Sequence, residues 1–304
     1  MSSTKNSQVL SALSDAMADA VEEAAAGTVL INARRRFPAS GIAYAANLVL
    51  TASHVVERDE DIPVVLPNGD QVKAALVGRD PGSDIAVIRT ESALPAVVET
   101  AGAEPRIGQL VLALGRPSEE GIQASLGIVS AISGPVHTRR GGVLEGHIRT
   151  DAIPYPGFSG GPLIDGSGQV LGMNTSGLTR GASIAIPVKL GLKVAEALVK
   201  HGSVRRGYLG VRSQSVEIPL NQQEGLGRQQ SIGLLLVGVE TGSPAEQDGL
   251  MVGDILTGFA GEPIAEPDDL FTSLTGEAAG KQVPLEILRA GQKQVLKVTI
   301  GERK

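Results

Sequence analysis

From Thr28 to about Val136 the chain holds no sustained helical period. It is a succession of short apolar runs, among them TVLI, NLVLTA, IPVVL, DIAVI and QLVLAL. Turn residues separate them, as in Pro67-Asn68-Gly69-Asp70 and Asp80-Pro81-Gly82. Runs of this length, closely spaced and bounded by Gly and Pro, predict an all-β barrel or sandwich. Further strands are expected at Gln169–Met173 and Ser183–Ile186, and a helix from Val188 to Lys200, stopped by His201-Gly202. Glycine is abundant, 39 of 304 residues, without a Gly-X-Y repeat, which fits many tight turns.

The flanks read differently. Residues 7–26 carry Leu10, Leu13, Met17 and Val21 at spacings of three and four, the pattern of an amphipathic helix, with Gly27 at its end. Arg205 to Lys304 is a fresh segment of about 100 residues with strand-like runs and two helix starts. Ser243-Pro244-Ala245-Glu246 has a cap, Pro at the first helical position and Glu at the capping-box place, closed by Gly249. Pro267-Asp268 opens the second, with Leu270, Phe271 and Leu274 on one side. The expected organisation is an N-terminal extension over 1–26, a β-rich domain over 27–202 and a smaller domain over 203–304. No low-complexity stretch or internal repeat is visible.

Composition narrows the partners. Twenty-seven Lys+Arg against 33 Asp+Glu give a net charge of −6, with no basic excess to favour nucleic acid or an anionic membrane. Three Tyr, four Phe and no Trp are too few for a base-stacking surface. Without cysteine there is no disulfide, thiol chemistry or cysteine-ligated metal. The longest uncharged run, Phe37 to Val56, has about the length of a membrane span, but its Pro, Gly, Asn and His suit strands and a turn. A soluble chain is expected. Met1 to Asn6 has no apolar stretch behind it, so the simplest expectation is cytoplasmic, or periplasmic if this is a processed form.

The chemistry centres on Gly157-Phe158-Ser159-Gly160-Gly161-Pro162-Leu163. A serine hydroxyl needs a base to become nucleophilic, and the oxyanion it generates needs backbone N–H donors. A glycine-rich turn can supply them, here from Gly157 and Ser159. Of four histidines, only His54, in Thr51-Ala52-Ser53-His54-Val55-Val56, ends an apolar strand. Asp84 leads straight into a buried-looking run, whereas the rival acids Asp80 and Asp151 do so less directly. His54, Asp84 and Ser159 stand in that order with gaps of 30 and 75 residues, the chain order of the chymotrypsin-type triad.

TASHVV, SDIAV and PGFSGGPL resemble the three catalytic blocks of the HtrA/Deg family of trypsin-like serine proteases. The resemblance continues through Gly127–Ser130, Thr150–Ala152, Gly172–Thr175 and Ala185–Pro187. Gly207-Tyr208-Leu209-Gly210-Val211, Gly242–Ala245 and Gly253–Leu256 resemble the PDZ domain that follows the protease in that family. It implies a mainly β chain: a trypsin-like double β-barrel, then a PDZ domain built as a small barrel with two helices. It implies an ATP-independent serine endopeptidase acting on unfolded or damaged proteins in quality control and stress response, and a homotrimer. No metal or organic cofactor is required. Ser159 would be the nucleophile, His54 the base and then acid, and Asp84 the residue orienting His54.

Two departures stand out: Phe158 replaces the family's usual Asn, and Pro154-Tyr155-Pro156-Gly157 replaces Ile-Asn-Pro-Gly. The substrate pocket is expected between Pro154 and Tyr155 on one side and Met173, Asn174 and Thr175 on the other. With no acid there, cleavage after Val, Ala or Leu is expected. In the PDZ domain Gly207, Tyr208, Leu209 and Gly210 would capture a peptide's terminal carboxylate. Leu209, Val211, Leu270 and Leu274 would receive its last side chain, or else form the domain core. The alternatives are a catalytically silent PDZ scaffold or chaperone, and an α/β-hydrolase-type esterase, since GFSGG also fits G-x-S-x-G. Pro162 and the want of a suitable downstream histidine count against the latter.

Overall fold

Short apolar runs flanked by turns become strands, and the strands close on themselves. The computed structural model describes residues 2–137, 143–178, 183–204, 206–274 and 278–303; Met1, Arg205 and Lys304, at the ends of the expected segments, lie outside them. The chain divides into two units, residues 1–204 and 205–304.

In the first unit, β1 (Thr28–Ile31), β2 (Ala39–Ala45), β3 (Leu48–Ala52), β4 (Ile62–Val65), β5 (Gln71–Asp80) and β6 (Ile85–Thr90) form one antiparallel barrel. Its order is β1-β2-β3-β6-β5-β4, closed by β1 against β4. A second barrel follows from β7 (Leu110–Ser118) and β8 (Gly121–Ser133). After the small pair β9 (Val136–His137) and β10 (Val143–Leu144) it continues with β11 (His147–Thr150), β12 (Pro162–Ile164), β13 (Val170–Thr175) and β14 (Ser183–Pro187). Here the order is β11-β14-β13-β12-β7-β8, closed by β8 against β11. Closure leaves neither sheet an open edge.

Two helices cover this unit. In α1 (Ser2–Ala25) the last turns bury Ala20 and Ala24 and pack Met17 and Val21 on the core, and the Thr28 hydroxyl donates to the Ala24 carbonyl at 2.8 Å. The expected apolar face is only half used, because Val9, Leu10 and Leu13 remain exposed. Gly27 is required by crowding rather than by a left-handed cap: a Cβ there would lie 2.6 Å from the Val98 side chain. In α2 (Val188–His201), Val188, Gly191, Ala195 and Leu198 are buried, spaced for one face, and the helix packs on β5, β6, β13 and β14. It ends at Gly202 in the left-handed conformation, φ 72°. Between barrel and α2, β13 is buried along its whole length.

His147, on β11, carries a consequence for acid stability. It is buried, its Nδ1 has no hydrogen-bond partner among the described residues, and burial followed by nearby Arg149 lowers its pKa. The folded chain then favours neutral His147, while the unfolded chain binds a proton once pH falls below about 6.5. Stability should therefore be full above that pH and decline as pH drops toward the depressed folded value. Thermal midpoints measured from pH 8 to 5 should fall less steeply for His147→Gln than for wild type; parallel curves would refute the assignment.

The second unit comprises β15 (Arg206–Tyr208), β16 (Val211–Glu217), α3 (Leu220–Gln223), β17 (Ile232–Val239), α4 (Pro244–Gln247), β18 (Ile255–Phe259) and β19 (Glu262–Pro263). It continues with α5 (Pro267–Ser273), β20 (Gln282–Arg289), β21 (Gln292–Thr299) and β22 (Gly301–Arg303). The main sheet runs β16-β17-β18-β20-β21, with β19 on β18, and β15 pairs β22. Both expected helix starts are present, and α3 adds a third short helix. Ser243 caps α4 by accepting from the Glu246 N–H, while the Glu246 carboxylate takes the N–H of Gly242 instead of closing a box on Ser243. The full capping box belongs to α5, between Glu266 and Asp269. Buried Asp254 is held by a two-pronged pair with Arg289, 2.8 Å on each side.

Candidate active site

Three segments of the first unit meet around the glycine-rich turn. His54 follows β3 in a single 3-10 turn, Ser53–Val55. Asp84 ends the loop between β5 and β6, and is fully buried with φ 58°, a left-handed conformation that Asp tolerates better than most residues. Its carboxylate is surrounded by donors. Oδ1 accepts the His54 backbone N–H at 2.9 Å, and Oδ2 takes His54 Nδ1 at 2.8 Å and the Thr175 hydroxyl at 2.5 Å. A buried carboxylate left without such partners would be strongly unfavourable. The rival acids have other work. Asp80 accepts from the N–H groups of Gly82 and Ser83 and builds the turn before Asp84, and Asp151 accepts from the Ile128 N–H at 2.7 Å.

The turn bearing Ser159 is bound on nearly every side. Ser40 of β2 donates its hydroxyl to the Gly157 carbonyl at 2.7 Å and its N–H to the Ser159 carbonyl at 3.1 Å. The Phe158 N–H goes to Tyr155, and the Gly160 N–H to Asn174. The N–H groups of Gly157 and Ser159 are left with no partner among the described residues. Gly157 and Gly160 have φ of 92° and 88°, and a Cβ on Gly160 would sit 2.1 Å from the Ser40 carbonyl oxygen. No other residue fits that place. The chain after Ser159 enters β12 rather than a helix, which excludes the nucleophile elbow of an α/β-hydrolase.

Phe158 points into the second barrel, fully buried beside Val111, Ala113, Ile148 and Leu163. Its ring meets Tyr155 edge-on with centroids 5.4 Å apart. Gly115 makes the room, since a Cβ there would lie 2.5 Å from the Phe158 ring. An apolar side chain in place of Asn is thus absorbed by the barrel core.

The expected pocket needs correction on one wall. Met173, Asn174 and Thr175 are buried and engaged inward: Met173 in the core, the Asn174 amide on the Pro162 carbonyl at 2.8 Å, and Thr175 on Asp84. With β13 covered on both faces, its side chains cannot line an open cleft. In the segments before Ser159 and after β13, Ile153, Tyr155, Pro156 and Ser176 are exposed, with Pro154 and Gly177 half-buried. Sequence reading missed the roles of Ser40, Ser176 and Gly177 and misread Thr175. The sequence pointer is the glycine at 177 itself, and the structure gives its reason: a Cβ there would lie 2.6 Å from both Asp84 Oδ2 and His54 Nδ1.

In the second unit the expected peptide loop is also revised. The Gly207 N–H is already bonded to the Leu274 carbonyl at 2.7 Å, so it is not available to a carboxylate. Leu209, Leu270 and Leu274 belong to the domain core, with Val211 packed against it. The Tyr208 hydroxyl donates to Glu240, and Gly210 has φ 81°. The sheet ends at β16, whose far side pairs with no described strand.

Two barrels bringing a histidine–carboxylate pair beside a glycine-flanked serine define the class of trypsin-like serine peptidases, here carrying a PDZ domain. The trypsin-like peptidase domain family matches residues 39–173, and the PDZ domain family matches residues 207–300. A serine endoprotease from Yersinia pestis superposes with a TM-score of 0.79 at 30% identity, over 95% of this chain and 98% of that one. The HtrA-type protease AlgW with a tripeptide gives 0.78 at 32% identity, over 95% and 97%. A probable periplasmic serine endoprotease, DegP-like, of Ectopseudomonas mendocina (strain ymp) is 37% identical over 83% of this chain and 54% of its own length. Its counterpart in Rhizobium meliloti (strain 1021) is 33% identical over 83% and 51%. The chain belongs to the HtrA family of serine proteases. It spans about half the length of the curated relatives it matches.

Proposed function

We propose that the chain is an ATP-independent serine endopeptidase that cleaves unfolded or damaged proteins, as part of protein quality control under stress. The observation that carries this reading is the buried Asp84 carboxylate holding His54 Nδ1 at 2.8 Å beside the Ser159 turn. In that arrangement His54 Nε2 takes the proton of Ser159 as Oγ attacks the scissile carbonyl. Asp84 holds the ring in the required tautomer and stabilises the imidazolium. The N–H groups of Gly157 and Ser159 would receive the oxyanion. His54 then delivers the proton to the leaving amine, and water repeats the cycle on the acyl-enzyme. With no acid among Pro154, Tyr155, Ser176 and Gly177, the cleft suits a small or medium apolar side chain before the scissile bond. Comparing digestion of an unfolded protein by wild type and Ser159→Ala tests the assignment directly. A silent scaffold would show no difference.

The PDZ domain is assigned to peptide C-termini. The open side of β16 can accept a peptide as an added strand, and the turn at Tyr208–Gly210 would meet its carboxylate. With full-length Ser159→Ala protein, a peptide ending in a free valine carboxylate should bind at least ten-fold tighter than its C-terminal amide. Equal affinities in a calorimetric titration would refute carboxylate capture.

Assembly as a homotrimer is supported by the exposed apolar stripe Val9, Leu10 and Leu13 on α1, which a partner copy could cover. Light scattering at micromolar concentration should give about three times the chain mass, and a stable monomer would exclude it. For location we favour the periplasm over the cytoplasmic expectation, since the two curated relatives are named periplasmic. Cell fractionation decides between the two.

A further inference from the structure

Ser159 does not hydrogen-bond His54. Its Oγ lies 3.0 Å from the hydroxyl of Ser176, and that same hydroxyl lies 3.5 Å from His54 Nε2. Ser176 therefore bridges the nucleophile and the base, and engages the hydroxyl that must turn to Nε2 for reaction. It is also kept there. Its predecessor Thr175 is tied to Asp84 at 2.5 Å, and its successor Gly177 runs so close that a Cβ would fall within 2.6 Å of both His54 and Asp84. The segment cannot carry Ser176 away without disturbing the histidine–carboxylate pair.

We propose that Ser176 is a positioning residue that restrains the nucleophile: in the resting enzyme it binds Ser159 Oγ and holds it away from His54, and reaction requires that bond to break. The inference rests on the reading of Ser159 as nucleophile. A proton relay through Ser176 is the competing role, and it makes the opposite prediction: loss of the Ser176 hydroxyl would then slow the reaction of Ser159. In the productive step Ser159 turns from Ser176 to Nε2, its proton passes to His54 as Oγ bonds the electrophile, and Ser176 keeps its own proton.

A fluorophosphonate probe reads this step, because Oγ bonds to phosphorus, fluoride leaves and the proton goes to His54. Full-length wild type, Ser176→Ala, Ser176→Thr and Ser159→Ala would be compared. Ser176 is exposed and makes no other side-chain hydrogen bond among the described residues, so the alanine variant should keep its fold and its thermal midpoint. Losing one neutral hydrogen bond that opposes the reactive geometry should speed labelling of Ser176→Ala roughly three- to ten-fold. The gain should appear in the maximal inactivation rate rather than in probe affinity, and Ser176→Thr, which restores a hydroxyl, should return toward wild type. Unchanged or slower labelling of Ser176→Ala would overturn the restraint and leave the protease reading intact. No labelling of either wild type or Ser176→Ala would remove both.

Discussion

Ser159→Ala is expected to lower turnover of an unfolded substrate such as casein by about 10⁵- to 10⁶-fold, the loss that follows removal of a serine nucleophile. The barrels should be undisturbed. The Ser159 hydroxyl is partly exposed and, among the described residues, bonds only Ser176, while the turn is held through backbone groups that alanine retains. The wild-type fragments, mapped by mass spectrometry, should end mainly in Val, Ala or Leu. A Ser159→Ala protein that digests casein at the wild-type rate would end the serine-protease assignment. Fragments ending mainly in Lys or Arg would instead refute the apolar cleft.

Asp84→Asn should reduce kcat by about 10⁴-fold with a smaller effect on folding, by analogy with the same change in the general serine-protease triad. Three donors converge on the Asp84 carboxylate: the His54 N–H, His54 Nδ1 and the Thr175 hydroxyl. An amide offers one acceptor oxygen and two N–H donors of its own. To avoid opposing donors, His54 would give up the proton on Nδ1 and carry it on Nε2, where it can no longer accept from Ser159. The substitution isolates this effect, because Asn also tolerates the left-handed backbone that Asp84 adopts at φ 58°. Activity within ten-fold of wild type would show that Asp84 does not orient the base.

The two substitutions probe residues of unequal visibility in the sequence. Ser159 announces itself through its glycines, because a turn that must expose N–H groups and pass close to other backbone has few residues to choose from. Asp84 was one of three candidate acids, and only packing separated them. Asp80 is consumed by the N–H groups of its own turn and Asp151 by β8, leaving Asp84 alone against the imidazole. The expected β13 wall of the pocket needed correction for a related reason. Apolar alternation marks which face of a strand is buried when one face is wet, but β13 is covered on both. Nothing local distinguishes such a strand from one bordering a cleft.

By itself the sequence determined the strand-rich architecture, the break into two units, the order of histidine, acid and serine, and the helix starts at Ser243 and Pro267. Apart from the order of the three residues, which is read along the chain, each depends on neighbours within a few residues: run length, turn chemistry, capping and glycine spacing. Only the tertiary structure decided that Ser40 clamps a turn 117 residues away, that Gly115 makes room for Phe158, and that Thr175 bonds Asp84. It also decided that Ser176 bridges Ser159 and His54. Barrel closure brings these residues together, and a contact between two closed sheets leaves no period in either strand to reveal it.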